Sequence, residues 1–241
     1  MRTFFLAFLI ITTKISFAQQ PVKDTPAVMP VNTSKVWGTV DGIAFEGMVQ
    51  GPSTEITPLQ IVCVFEYTEG DIFNAPPALP AAVNGMVHLD QALGGLITEL
   101  RKTGKFAGHA LETLLITPPP GKISAKKLLL IGLGDRNKFT PELILRVAGV
   151  GMQEALRLGV TQYAFATDLK DAGIDSPTAL VAGYGVTGAV AAYRTQAFLK
   201  SKGMSSFKPI TKITLLAGPS FFTVAGKGIQ EAIAAFSPPK Q

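Results

Sequence analysis

The chain has 241 residues, 47% of them hydrophobic, and a formal net charge of +5 at pH 7. This length is sufficient for one large domain with a substantial buried core. The charge is modest and no long basic run occurs, so the composition argues against a nucleic-acid partner. Cys63 is the one cysteine, which excludes an internal disulfide.

The first 18 residues have the pattern of an export signal. Arg2 supplies a positive start, Phe4–Ile11 an apolar core, and Ser16-Phe17-Ala18 a cleavage site with small residues at its ends. The apolar run is too short to span a bilayer. We therefore expect an exported protein, periplasmic or secreted, that begins near Gln19 and has no membrane anchor after cleavage.

A proline-bearing extended linker is predicted for residues 19–34, and a single domain for residues 35–241. The domain opens with two β-like segments, Lys35–Val40 and Ile43–Val49. Asp41-Gly42 between them is a favourable pair for a tight hairpin turn. Trp37 is interpreted as a packing residue of this hairpin.

Apolar runs and helical periodicities then alternate along the chain. Strands are predicted at Leu59–Tyr67, Ala110–Thr117, Gln162–Thr167 and Lys212–Ala217, with Cys63 buried in the first. Helices are predicted as one element within Leu89–Thr103, as a long helix opened by Ser176-Pro177, and as Phe222–Phe236. Gly183, Gly185 and Gly188 in the long helix predict close packing, either internal or between subunits.

The stretch Ser124–Gly159 contains the clearest strand-turn-helix pattern. Leu128–Ile131 predicts a strand buried on both faces, and Gly132 and Gly134 interrupt it. Thr140-Pro141-Glu142 predicts a helix start with a side-chain cap, and Gly159 a left-handed helix end. Strands that alternate with helices indicate an α/β fold, with a mixed, mostly parallel sheet flanked by helices in three layers.

Three blocks of sequence resemble the N-terminal, macro-domain-like domain of the M17 leucyl aminopeptidases. The first is Leu89–Gly95, similar to an Asp-x-x-Leu-Gly-Gly segment, followed by Phe106-Ala107-Gly108. The second is Lys127–Gly134 with Phe139–Glu142, similar to the family's strand, Gly-Leu-Gly turn and helix start. The third runs from Val181 to Arg194 and is similar to its small-residue helix. The resemblance implies a macro-domain-like fold.

The catalytic motifs of that family do not occur in this sequence. Its two-metal site lies in a C-terminal domain marked by Asn-Thr-Asp-Ala-Glu-Gly-Arg and Asp-Ser-Gly-Gly, and neither motif is present. The resemblance therefore implies a non-catalytic domain with no catalytic residues, no metal ligands and no cofactor. We expect a binding or assembly module that associates with itself or with an exported partner.

Two alternatives remain open at this point. One is a binder of a small phosphate-bearing ligand, with Asn84, Gly94, Gly95, Gly132 and Gly134 as candidate ligand-binding residues, because glycine-rich turns bring backbone N–H groups to an anion. The competing interpretation is that these glycines serve turns and packing. The other alternative is a regulatory or partner subunit of a separately encoded M17 peptidase.

Two histidine–carboxylate pairs are the remaining candidates for a metal site. His88-x-Asp90 and His109-x-x-Glu112 have local spacings that a metal site could use. Two histidines are a weak ligand set, however, and Asp90 is instead predicted to cap or open its helix.

Overall fold

The computed structural model describes residues 28–69, 73 and 78–236, so the predicted export signal lies outside the described residues. The strands are β1 (Ser34–Val40), β2 (Ile43–Val49), β3 (Gln60–Val64), β4 (Thr113–Ile116), β5 (Leu128–Gly132), β6 (Gln162–Ala166) and β7 (Lys212–Ala217). The helices are α1 (Gly85–Ala92), α2 (Leu96–Lys102), α3 (Leu143–Arg157), α4 (Thr178–Ser201) and α5 (Phe222–Ala234). No helix in these ranges is both long and apolar enough to cross a membrane.

The strands form one mixed sheet in the order β1-β2-β7-β6-β3-β5-β4. The five central strands run parallel, and the edge strands β1 and β4 are antiparallel to their neighbours. Every residue of β3 and β5 is buried, so the centre of the sheet is covered on both faces. The predicted three-layer α/β/α class is confirmed. The strands at the centre of the sheet are continuous apolar runs because neither of their faces is exposed to solvent.

Helices α3, α4 and α5 lie side by side over one face of the sheet. Gly151 of α3 approaches Ile61 on β3, and Gly185 of α4 approaches Leu215 on β7. Both side chains are in register with Phe165 on the intervening strand β6, so they lie on the same face of the sheet. A Cβ at Gly188 would overlap the carbonyl of Leu145 on α3. The small residues of α4 therefore serve packing inside this chain, which the sequence left open.

The hairpin turn has the predicted form. Asp41 and Gly42 both have positive φ values, 50° and 80°, as a two-residue type I′ turn requires. Trp37 packs on Phe222 of α5, with ring centroids 5.6 Å apart, which confirms its packing role. Ahead of β1, the N–H of Asn32 donates to the carbonyl of Val49 at 2.9 Å, so the described end of the predicted linker lies against the sheet.

Two local predictions need correction. The single helix within Leu89–Thr103 is in fact α1 and α2, because Gly94 and Gly95 both adopt left-handed backbone conformations that a helix cannot contain. The N-cap residue of α3 is Glu142 rather than Thr140, and its side chain makes no capping hydrogen bond. The backbone carbonyl of Thr140 accepts the N–H of Leu143 at 3.1 Å, so a tighter first turn satisfies this donor.

Candidate functional site

The loops at the carboxyl ends of β3, β5 and β6 lie on the same edge of the sheet because these strands are parallel and adjacent. In open α/β sheets this edge is the usual place for a ligand. Gly134 follows β5 here, whereas Gly132, predicted to interrupt the strand, is its last residue and is in register with Val64 of β3. Gly134 has a φ of +75°, a conformation in which a Cβ would be strained.

The backbone donors of the Gly-Leu-Gly turn are already engaged within the fold. The N–H of Gly132 donates to the carbonyl of Glu112 at 2.8 Å, and that of Leu133 to Val64 at 2.7 Å. The N–H of Gly134 donates to the carbonyl of Gly108 at 2.8 Å. An anion at this turn would have to displace these bonds or use other donors, so the observed contacts favour a role in backbone packing.

The loop that covers this turn is held by one carboxylate. Glu112 accepts hydrogen bonds from the N–H groups of Ala107, Gly108 and His109, at 3.3, 2.8 and 3.0 Å. His109 Nδ1 lies 2.7 Å from Glu66 Oε1, and this hydrogen bond raises the pKa of the imidazole. The His109–Glu112 spacing is thus explained by loop structure. Within the described residues, no group of three or more His, Cys, Asp or Glu side chains could hold a metal.

Asn84 anchors the start of α1. Its Oδ1 accepts the N–H of Val87 at 3.0 Å, which is an N-cap bond. Its Nδ2 lies 3.2, 3.2 and 3.0 Å from the carbonyl oxygens of Phe73, Leu79 and Asp171. The side chain is fully buried and ties three segments together.

Gly94 and Gly95 lie between α1 and α2 and line a cavity of about 470 Å³. Asp90, near the end of α1, caps α2 rather than its own helix, since its Oδ1 accepts the N–H of Ile97 at 2.8 Å. Around the open space are apolar side chains and the buried Arg101, whose guanidinium lies 5.0 Å from the ring centroid of Phe73. The structure thus separates Gly94 and Gly95 from the Gly132–Gly134 turn, which does not line this cavity.

Two carboxylates that sequence reasoning missed lie just after β6. Asp168 Oδ2 accepts the N–H of Cys63 at 3.3 Å, and Asp171 Oδ2 accepts the N–H of Met86 at 3.1 Å. Burial raises the pKa of both carboxyl groups, that of Asp171 to about 6, and Asp171 further raises the pKa of Asp168. Their position just after a buried strand is the feature of the sequence that could have identified them. They join β3, β6 and the start of α1.

Comparisons with known proteins are consistent with this architecture. Residues 64–202, more than half of the chain, match the model of the cytosol aminopeptidase family, N-terminal domain. A probable cytosol aminopeptidase of Geobacter sp. (strain M21) is 36% identical over 106 residues, which are 44% of this chain and 18% of the relative. The chain spans 18–31% of the length of this and two further curated relatives.

Two solved structures show the same fold at low identity. A tomato leucine aminopeptidase mutant is 18% identical with a TM-score of 0.52, and the match covers 80% of this chain and 36% of that one. An Oceanobacillus iheyensis macrodomain with ADP is 10% identical with a TM-score of 0.52, and covers 84% and 98% of the two chains. These matches support the fold assignment alone.

Proposed function

Because the chain belongs to the cytosol aminopeptidase family, in which it matches the N-terminal domain, we propose that it is an exported, non-catalytic module that works by associating with another protein chain. The observation that carries this proposal is the exposed edge of the sheet at β1. This strand pairs with β2 on one side, and on its other side no strand of the described ranges pairs with it. An edge strand presents free N–H and C=O groups to which another chain can add a strand.

An exposed valine lies on this edge strand. Val36 on β1 is 51% exposed. An apolar side chain exposed on an open edge strand favours association with a second chain over a purely solvated surface. The simplest partner is a second copy, because two β1 edges can pair antiparallel about a two-fold axis.

Light scattering across a concentration series tests this association. We expect the chain to self-associate and Val36→Lys to weaken the dimer at least tenfold, because a charge on an edge strand opposes strand pairing. Val83→Lys is the matched control, since Val83 is 65% exposed but lies outside the β1 region. A chain that remains monomeric at all concentrations would contradict self-association. The proposal would then require a different protein as the partner.

The absence of catalysis is tested directly. We expect no hydrolysis of leucyl amide substrates by the purified chain, with or without added Mn²⁺ or Zn²⁺, because two-metal hydrolysis needs several convergent ligands. Metal-dependent activity that follows the chain through successive purification steps would contradict this part of the proposal.

A small phosphate-bearing ligand is the second candidate. It is supported by the macrodomain with ADP that shares the fold and by the cavity beside Gly94 and Gly95. ADP-ribose at 100 times its Kd would stabilise the chain by about 2.7 kcal/mol, which a melting experiment detects easily. Gly134→Ala should cost about 1 kcal/mol of stability through its positive φ. If the turn also binds phosphate, this variant should lose the ligand-dependent shift.

A partner subunit for a separate peptidase is the third candidate, supported by the family membership. Co-expression with a separately encoded catalytic M17 chain tests it. Co-purification in a fixed ratio, with a change in peptidase kinetics, would favour this form of association over self-association.

A further inference from the structure

A basic surface with projecting apolar side chains lies at the C-terminal end of α4. Between residues 176 and 230 the sequence contains six Lys or Arg residues and no Asp or Glu. We use the name α4-end patch for the part of this stretch around the last turn of the helix. It consists of Phe198, Lys200, Lys202, Met204, Phe207 and Lys208.

The loop after α4 folds back on the helix and brings these residues together. Lys202 Nζ lies 5.5 Å from the ring centroid of Phe198, and Lys200 Nζ lies 4.6 Å from that of Phe207. Lys200 Nζ also donates to the carbonyl oxygen of Phe207 at 3.0 Å. The N–H of Met204 donates to the carbonyl of Leu199 at 2.9 Å, so the loop continues directly from the last turn.

Two apolar members of the patch project into solvent, whereas Phe207 is half-buried against Tyr193. Phe198 is 61% exposed and Met204 is 76% exposed. Cations near a helix C-terminus are favourable for the helix itself, which would account for the lysines. Helix stability does not account for an exposed phenylalanine and an exposed methionine beside them, because neither side chain buries its apolar area within the described fold.

The positive charge of the patch is not neutralised within the described residues. Arg194 and Lys212 pair with Asp41 and Glu46. By contrast, no carboxylate in the described ranges lies within ion-pair distance of the three patch lysines. The patch therefore combines uncompensated cations with projecting apolar groups.

We propose that the α4-end patch docks on the surface of an anionic phospholipid bilayer. Charge complementarity requires an anionic partner, and bilayer headgroups supply a dense negative surface. Phe198 and Met204 would insert at the boundary between headgroups and acyl chains, while the lysine stems lie along it and keep their ammonium groups in water. A nucleic acid or an acidic protein would engage the lysines but would not require apolar side chains that project from a helix end.

Vesicle co-sedimentation with the full chain tests the proposal. We expect at least tenfold more binding to phosphatidylglycerol-containing vesicles than to phosphatidylcholine vesicles at low salt, and loss of this difference in 0.5 M NaCl. The variant K200E/K202E/K208E should bind the anionic vesicles at least tenfold more weakly. The control K102E/K105E/K138E has the same change in net charge at exposed lysines elsewhere and should bind within twofold of the wild type. Residues 1–27 are identical in every variant, so any contribution from them is constant.

A second readout reports on the patch itself. Phe198→Trp places an emitter at the proposed insertion point, and subtraction of the wild-type spectrum removes the contribution of Trp37, the one native tryptophan. We expect a blue shift on anionic vesicles and quenching by lipids brominated in their acyl chains. Urea unfolding midpoints of all variants show that each remains folded.

Three outcomes would overturn the proposal. These are equal binding to the two kinds of vesicle, retention of anionic binding by K200E/K202E/K208E, and an introduced tryptophan that brominated lipids do not quench. If duplex DNA or an acidic protein displaces the chain from vesicles and no quenching is seen, the patch is a general polyanion site instead.

Discussion

Arg194 on α4 binds Asp41 in the β1–β2 turn through two hydrogen bonds, from Nε at 2.6 Å and from Nη2 at 3.1 Å. The pair joins residues that are 153 positions apart and ties the edge hairpin to the helical layer. The hydrogen bond from Arg194 lowers the pKa of the Asp41 carboxyl below its usual value of 3.8. Asp41 also has a positive φ of 50°, so the ion pair is made by a residue of the turn itself.

Arg194→Gln should lower the free energy of unfolding by about 0.5–1 kcal/mol at pH 7, because partly exposed ion pairs contribute modestly. Since the pKa of Asp41 is lowered in the folded state, this contribution is present above pH 3.8 and is lost as the pH falls through the folded-state pKa. Urea unfolding at pH 7 and pH 3 measures the difference. Arg157→Gln, which removes a pair with Glu154 inside α3, should cost less.

Gly188→Ala should destabilise the chain by about 1–3 kcal/mol, because its Cβ would overlap the carbonyl of Leu145 and force α3 and α4 apart. Gly149→Ala on α3 is the matched control, since the nearest atom to its Cβ would be the carbonyl oxygen of Gly188 at 3.7 Å, an ordinary contact. We expect Gly149→Ala to be neutral or to stabilise by up to about 1 kcal/mol through helix propensity. Equal losses for the two variants would argue against close packing at Gly188.

The change in unfolding free energy caused by Asp171→Asn should be about 1–3 kcal/mol more favourable at pH 7 than at pH 4. The pKa of Asp171 is raised from 3.8 to about 6, so its contribution to stability is complete below pH 3.8 and declines as the pH rises through 6. Its charged neighbours are Asp168, which also has a raised pKa, and His88, whose charge acts in the opposite direction.

Unfolding curves from pH 4 to pH 8 measure this effect as the difference between variant and wild type. Asp175→Asn is the control, because Asp175 is fully exposed and pairs only with Lys170 among the described residues. A difference curve for Asp171→Asn that is flat across this range, or one that falls with rising pH, would contradict the prediction.

Cys63 should react slowly with a thiol reagent in the native protein and rapidly in denaturant. The residue is 1% exposed within β3, and burial together with the nearby Asp168 raises the pKa of its thiol. The thiolate is the reactive form, so both access and ionisation oppose labelling. Rapid labelling of folded protein, with an unchanged circular dichroism spectrum, would show that β3 opens locally.

The sequence was sufficient to locate most elements, because their signals are local. Continuous apolar runs identified β3, β5 and β6, and Asp41-Gly42 identified the hairpin turn. Gly159 closes α3 with a φ of +67°, as its position after the apolar stripe predicted. The break at Gly94-Gly95 was missed because apolar positions on both sides continue one helical period, and the left-handed conformation of both glycines outweighs that periodicity.

What the candidate residues do was decided only by the tertiary structure. The Gly-Leu-Gly turn could bind an anion only if its N–H groups were free. They instead donate to the carbonyl groups of Val64, Gly108 and Glu112, which lie on other segments. Asp168 meets the backbone of Cys63 across 105 positions of sequence. Such contacts depend on the order in which parallel strands assemble, and strand order is a long-range property that no local spacing encodes.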